Sequence, residues 1–433
     1  MGKNKIYEKD WKYTCLRPFV DWCTRRSYRR IQVQGEENLP TDGAILLSPN
    51  HSNTLMDALV MLQAYKKETV FGARADMFNN PFIARIMFFL RILPMVRQRD
   101  GLRNVLKNHD TQETIVETLE HGVRFCMFPE GRHRTMHSLL PLGKGTMRAA
   151  VAANEKFGND RPIYIVPVGI EYGDYFRYRS TCLVTYGKPI NATDFIKGLN
   201  VENDAQIMEP LKREIAERMS GLFTYIKDDE NYKGTWALTK MLASEKRTCS
   251  LAGRLETNRA AVAEIEKAIA ERPEEMAQIL EKAAALDAAT DKAGISIHSF
   301  NRKCLVGRCV WKGLLSILGL PYFLFGAVAS LPMWALATFL RRKIKDKAFG
   351  NTVGFGVKLG LGAIWYPIVA ALAFIFAPWQ YALAGSLLAF ASYNYLYDYT
   401  EFMRRFLSDC RLATRKDFRS RFEQLQKDFH NLK

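Results

Sequence analysis

The chain has 433 residues, 62 Lys and Arg against 45 Asp and Glu, a formal net charge of +17, and 48% hydrophobic residues. That length accommodates two or three domains, and the charge favours anionic partners, whether nucleic acid, acidic lipid surfaces or phosphorylated substrates. Eight scattered cysteines without a Cys-x-x-Cys pair argue against a disulfide framework or a cysteine-built metal site, and fit reduced thiols in a cytosol-facing protein.

The first 14 residues are polar and charged, which predicts no secretory signal, and Ile6 stands where a myristoylation signal needs Ser or Thr. Residues 1–30 mix Tyr7, Trp11, Tyr13, Phe19 and Trp22 with Arg17, Arg25, Arg26, Arg29 and Arg30. That make-up suits an amphipathic segment on a membrane surface, or a helix packed on the next domain.

From 31 to 200, short apolar runs alternate with helical stretches. Strands are expected at 31–34, 44–48, 69–73, 123–128, 163–170 and 182–186, with helices near 55–66, 80–92, 101–121 and 144–157. This alternation predicts an α/β fold, a mixed sheet flanked by helices, forming the catalytic domain. Residues 201–300 are rich in Ala, Glu, Lys and Leu and predict an α-helical insertion of consecutive amphipathic helices, broken at Pro273.

Residues 301–400 form the expected membrane region, and 401–433 a basic helical tail. Residues 314–340 are apolar apart from Pro321 and Pro332, and 359–377 and 379–397 are each about long enough to span a hydrocarbon core. Lys303, Arg308 and Lys312 precede the first segment, a run from Arg341 to Lys347 follows it, and Arg404, Arg405, Arg411, Arg415 and Lys416 follow the third. If basic flanks stay cytoplasmic, 314–340 is re-entrant or interfacial, 359–377 and 379–397 form a transmembrane hairpin, and the catalytic domain lies on the cytoplasmic side.

The first chemical signal is Pro49-Asn50-His51-Ser52-Asn53-Thr54-Leu55-Met56-Asp57, directly after the run Ala-Ile-Leu-Leu-Ser. A carboxylate can hold one imidazole nitrogen and fix the tautomer, leaving the other nitrogen to take a hydroxyl proton. Positions six apart on one helix face different ways, so His51 must lie in the loop before the first turn, with Thr54 as N-cap. The alternative is that Asp57 caps the helix start and does no chemistry.

The second signal is Phe128-Pro129-Glu130-Gly131-Arg132-His133-Arg134-Thr135, a cationic, donor-rich loop able to hold a phosphate. Lys144 and Gly145 then open a helix whose N-terminus favours anions. A third cluster, Leu93-Pro94-Met95-Val96-Arg97-Gln98-Arg99, adds two guanidiniums. Each cluster alone reads more readily as a solvated basic loop than as a phosphate site; three of them following a His/Asp pair reverse that and point to a phosphorylated substrate.

The order His51 and Asp57, Pro94-x-x-Arg97, Phe128-Pro-Glu-Gly131, then Val166-Pro-Val168 resembles the glycerophospholipid (PlsC-like) acyltransferase family, as does the lead-in Val33-x-Gly35, Leu39-Pro40 and Gly43. The resemblance covers about residues 30–195. It implies His51 as general base, Asp57 as its orienting partner, Arg97 and Glu130 with Gly131 in binding the glycerol phosphate, and 165–168 on the acyl side. Two features depart from the family pattern. Five residues rather than four separate His51 from Asp57, and Arg132-His133-Arg134-Thr135 replaces the common Thr-Arg-Ser. Both look closer to the fungal-type glycerol-3-phosphate/dihydroxyacetone-phosphate acyltransferases.

The expected activity is therefore membrane-bound O-acyl transfer from acyl-CoA or acyl carrier protein (acyl-ACP) to a glycerol-phosphate hydroxyl. Glycerol 3-phosphate or dihydroxyacetone phosphate is the slightly preferred acceptor, and 1-acylglycerol 3-phosphate (lysophosphatidate) the alternative. Arg132, Arg134 and Lys144 join Arg97 on the phosphate, no metal or cofactor is called for, and membrane lipids are the expected surroundings. A membrane-anchored lipid phosphate hydrolase is the rival enzyme, with His133 and His137 its metal-like pair. A nucleic-acid binder lacks zinc-finger spacing and aromatic RNA-binding motifs, so no nucleic-acid partner is expected.

Overall fold

The computed structural model describes residues 5–95, 105–201, 203–246, 248–300 and 304–432, with the side chains of 105–110, 204 and 205 left aside. The chain divides into two compact units, one of residues 1–176 with 180–223 and the other of 177–179 with 224–433.

The first unit is an α/β sheet domain. Its elements are α1 (Trp11–Ser27), β1 (Tyr28–Gln34), β2 (Ala44–Pro49), α2 (Leu55–Ala64), β3 (Thr69–Arg74), α3 (Pro81–Phe89), β4 (Ile92–Met95), α4 (Val105–Glu120), β5 (Arg124–Cys126), α5 (Gly145–Phe157), β6 (Ile163–Tyr172), β7 (Ser180–Tyr186), β8 (Ile190–Asn191), α6 (Ala192–Leu199) and α7 (Asp204–Ser220). The strands form one mixed sheet in the order β1-β7-β6-β2-β5-β3-β4, with β8 also paired to β6. Pairing is parallel except that β6 runs antiparallel to β7 and β8.

Every residue of β2 is buried, as expected for a central strand covered by helices on both faces. The strands expected from the sequence are all present. β4 and β8 are additions: β4 has four residues, one of them Pro94, and lies at the end of the strand order, where proline is tolerated because the ladder has an open side. α1 buries Tyr13, Cys23, Thr24 and Ser27 and packs on α2 and β1, while Trp11 stays 72% exposed.

The second unit is helical: α8 (Tyr232–Glu245), α9 (Leu251–Glu271), α10 (Pro273–Ala293), α11 (Leu305–Ala329), α12 (Leu331–Lys343), α13 (Phe349–Phe376), α14 (Trp379–Thr414) and α15 (Lys416–Asn431). α8, α9, α10 and α15 share a core that includes Met241, Ile265, Met276, Leu280, Phe422 and Phe429. Pro273 opens α10, where its missing N–H costs nothing. Among the described residues two helices, α11 and α13, are long and apolar enough to cross a membrane, and only 11% of the apolar window of each is buried. The 314–340 segment breaks at Ser330, with Pro332 in the first turn of α12, whereas Pro321 lies inside α11 and does not turn the chain.

Gly169 of β6 faces the residues that follow α7. A Cβ built there would lie 2.4 Å from the Leu222 carbonyl oxygen and 2.6 Å from its carbon, both backbone atoms that cannot swing aside. Gly169→Ala is expected to destabilise the protein by about 1–3 kcal/mol in thermal unfolding of the detergent-solubilised chain. Gly198→Ala, which meets nothing within 4 Å on α6, is expected to be neutral or stabilising by up to about 1 kcal/mol.

Candidate active site

The parallel strands β2, β5 and β4 end on the same side of the sheet, and the loops that carry His51 and Glu130 follow β2 and β5. In open α/β sheets this carboxyl edge is where ligands bind. His51 lies in the loop after β2 and Asp57 in the first turn of α2. The His51 Nδ1 is 2.8 Å from Asp57 Oδ2. An aspartate oxygen can only accept, so Nδ1 carries the proton and Nε2 keeps its lone pair; among the described residues Nε2 has no partner. The ring lies on Phe128, centroids 4.4 Å apart, and meets His133 edge-on at 5.9 Å. Its side chain is 18% exposed, against none for Asp57.

Asp57 is satisfied on all sides. Oδ2 also accepts from the backbone N–H groups of Ser52 at 2.8 Å and Asn53 at 2.6 Å, and Oδ1 accepts from the Tyr172 hydroxyl at 2.7 Å. The two readings of Asp57, orienting partner and helix cap, are thus one arrangement: the carboxylate reaches back from the first turn to the loop's N–H donors and to the imidazole together. Thr54, at the N-cap position, makes no side-chain cap bond and has φ 50°, ψ −127°. A β-branched residue pays about 1–3 kcal/mol for such a conformation. The five-residue spacing is accommodated here, in the turn before the helix, so that α2 keeps its register.

Glu130 is 8% exposed and ties the loop after β2 to the loop after β5, whose two ends it also brings together. One carboxylate oxygen accepts from the His51 N–H at 2.7 Å, the other from the Leu140 N–H at 2.8 Å. The Arg134 N–H returns a bond to the His51 carbonyl at 3.1 Å, and the Gly143 N–H bonds the Pro129 carbonyl at 2.7 Å. Gly131 closes the turn with φ 64°, a left-handed value that favours glycine. Burial pushes the Glu130 carboxyl above its ordinary value, partly offset by the Leu140 and His51 N–H donors.

Arg132 and Lys144 are exposed, and Lys144 stands at the N-cap of α5. Arg134 turns its guanidinium toward the Ser138 hydroxyl and the Leu139 carbonyl. Arg97 and Arg99 lie outside the described residues. His133 and His137 have different neighbours: the former meets His51, while His137 Nδ1 is 3.2 Å from the Tyr175 hydroxyl and 3.7 Å from Glu171. Among the described residues no group of three or more His, Cys, Asp and Glu side chains could hold a metal ion.

Sequence reasoning missed two supports. Asn50 braces the loop on β6, with its amide nitrogen 3.2 Å from the Ile170 carbonyl and its oxygen accepting from the Ile170 N–H at 2.6 Å. Tyr172, 115 residues from Asp57, has no local signal that ties it to the site. Asn50 stood in the quoted motif, where a strand-end Asn before the histidine is the readable hint.

A carboxylate-held histidine with an open Nε2, at the carboxyl edge of an α/β sheet beside a cationic loop, has the geometry to accept a hydroxyl proton. Residues 30–171 match the model of the family described as Acyltransferase. The match marks residues 30–171 as an acyltransferase domain, the same stretch that carries the motifs read from the sequence. Among solved structures the chain is similar to the 1-acyl-sn-glycerophosphate (LPA) acyltransferase PlsC from Thermotoga maritima. The two share 17% sequence identity, over 49% of this chain and 83% of that one, with a TM-score of 0.33. No curated protein matches.

Glu130→Gln would leave two N–H donors facing one acceptor oxygen and an amide N–H. It is expected to destabilise the protein by about 1–3 kcal/mol and to lower activity by loosening the His51 backbone. Folding holds the Glu130 pKa above its ordinary 4.5, so the native state binds more protons there and stability falls as pH rises from 4.5 through the raised value. Thermal scans at stepped pH should show that fall in wild type and a shallower one in Glu130→Gln.

Proposed function

We propose that the protein is a membrane-bound O-acyltransferase of phospholipid synthesis, moving a fatty acyl group from acyl-CoA or acyl-ACP to the hydroxyl of a glycerol phosphate. The observation that carries this reading is the 2.8 Å contact between His51 Nδ1 and the buried Asp57, in a domain of the acyltransferase family, with Nε2 left for a substrate proton.

Nε2 of His51 takes the acceptor's hydroxyl proton as the oxygen attacks the thioester carbonyl. The tetrahedral intermediate expels the thiolate, which takes the proton back from the imidazolium. Asp57 stabilises that imidazolium without being protonated itself. General-base assistance of this kind contributes about 10²–10⁴-fold. Arg132, Lys144 and Arg97 hold the acceptor's phosphate, Arg134 stiffens the loop that carries Arg132, and Glu130 and Gly131 shape that loop.

The apolar, largely unburied α11 and α13 support membrane attachment, which lets an acylated product enter the bilayer while its phosphate stays at the surface. The basic flanks of these helices support a cytoplasmic catalytic domain. The five-residue His51–Asp57 spacing and the Arg132–Thr135 run support glycerol 3-phosphate or dihydroxyacetone phosphate over 1-acylglycerol 3-phosphate.

The test is acyl transfer by membranes expressing wild type, His51→Ala or Asp57→Asn. Palmitoyl-CoA and palmitoyl-ACP are the donors, and the three acceptors are offered separately. Wild type is expected to acylate glycerol 3-phosphate or dihydroxyacetone phosphate, and both variants to lose about 10²–10⁴-fold in rate while remaining folded. Phosphatidate formed solely from the 1-acyl acceptor would reassign the step, and full activity of His51→Ala would refute the mechanism.

A further inference from the structure

We propose that Tyr172 is a positioning residue for the reaction, setting the proton affinity of His51 by donating a hydrogen bond to the far oxygen of Asp57. The proposal rests on the reading of His51 as general base. Asp57 uses Oδ2 for His51, Ser52 and Asn53, and Tyr172 supplies the 2.7 Å bond to Oδ1. Among the described residues Oδ1 takes no other hydrogen bond. Tyr172 ends β6, is 3% exposed, and is fixed between the rings of Tyr28 and Tyr175, with centroids 6.0 and 5.8 Å away.

A hydrogen bond to a carboxylate draws on its charge and weakens what it offers a second partner. Each donor on Asp57 therefore lowers the stabilisation Asp57 gives to an imidazolium. The two backbone N–H groups are common to any residue in this loop; the Tyr172 hydroxyl is the side-chain donor that a substitution can remove. Asp57 is fully buried, and the space vacated by one hydroxyl is too small for a water to replace it. Burial, with the Asp57 charge behind it, pushes the Tyr172 phenol well above its ordinary value of 10, so the hydroxyl remains a donor throughout any assay range. The other titratable groups facing the pair are Glu130 and His133 from the loop after β5 and Cys182 of β7, with Tyr28 of β1 behind Tyr172. Glu130 bonds the His51 main chain rather than its ring, and burial keeps the Cys182 thiol protonated.

The experiment is the pH profile of kcat/KM for the full chain in proteoliposomes, with palmitoyl-CoA and the acceptor that wild type uses. In Tyr172→Phe the unrelieved Asp57 charge holds the imidazolium more tightly. The acid limb should move to higher pH by about 0.5–1 unit, so that the rate on that limb falls about 3–10-fold with KM for the acceptor unchanged. Tyr186→Phe removes a buried hydroxyl of β7 that bonds neither His51 nor Asp57 and should keep the wild-type profile. Placing 3,5-difluorotyrosine at position 172 strengthens the donor and should move the limb the other way, a readout that holds even if Tyr172→Phe fails to fold. Superimposable acid limbs in these position-172 variants, with His51→Ala inactive, would overturn the role of Tyr172. Retained turnover in His51→Ala would instead overturn the base assignment.

Discussion

An ionised carboxylate without contact with water persists only if its lone pairs are filled, because an unpaired buried charge costs several kcal/mol. Asp57 is such a group, and meeting its demand organises the sheet domain. Three of its donors come from the loop between β2 and α2, and the fourth from the end of β6. They converge because β2 and β6 run parallel in a register that sets Pro49 opposite Val168. A slip of one residue would turn Tyr172 to the opposite face of the sheet. Asn50, bonded on both sides of its amide to Ile170, pins that register at the place where the loop leaves the strand. Glu130 does for the backbone of His51 what Asp57 does for its ring, and the loops after β2 and β5 behave as a single piece.

Much of this was legible because it is local. Alternating apolar runs marked β1, β2, β3, β5, β6 and β7, and the clusters at strand ends marked the loops that carry His51 and Glu130. β4 escaped because four residues with a proline carry almost no periodic signal. Tyr172 escaped for a different reason: its significance is a contact across 115 positions, and nothing in its own neighbourhood distinguishes it from any strand-end tyrosine. Of the two prolines in the 314–340 run, Pro321 lies within a continuous helix. Inside an apolar helix the carbonyl freed by proline can be accommodated, and the break falls nine residues later at Ser330.

The helical unit obeys two different rules along one chain. α8, α9, α10 and α15 bury their apolar stripes against each other, as water requires. α11 and α13 leave theirs outward, with Ile317 at 68%, Leu318 at 75% and Ile375 at 70% exposure. The polar side chains these helices carry turn inward. Lys358, which in the sequence reads as the edge of an apolar run, sits within α13 with its amine 2.9 Å from Asn394 of α14. Asp409 joins α14 to α11 through Arg308 and Lys312 and also takes the Ser299 hydroxyl. Charged groups placed this way fix which helices are neighbours, a task that apolar contacts between similar helices do poorly.

The ends of the strand order bear on the life of the chain before it is folded. A sheet edge is a template for another chain, and a domain whose strands pair across large sequence separations, as β1 does with β7, exposes such edges while it assembles. Here one edge is β4, short and interrupted by Pro94, and the other is β1, which carries exposed Arg29 and Arg30. Neither offers a long, uncharged ladder to a second molecule. Where copies of a chain emerge close together during synthesis, the weakness of β4 as a strand is also a defence against self-association.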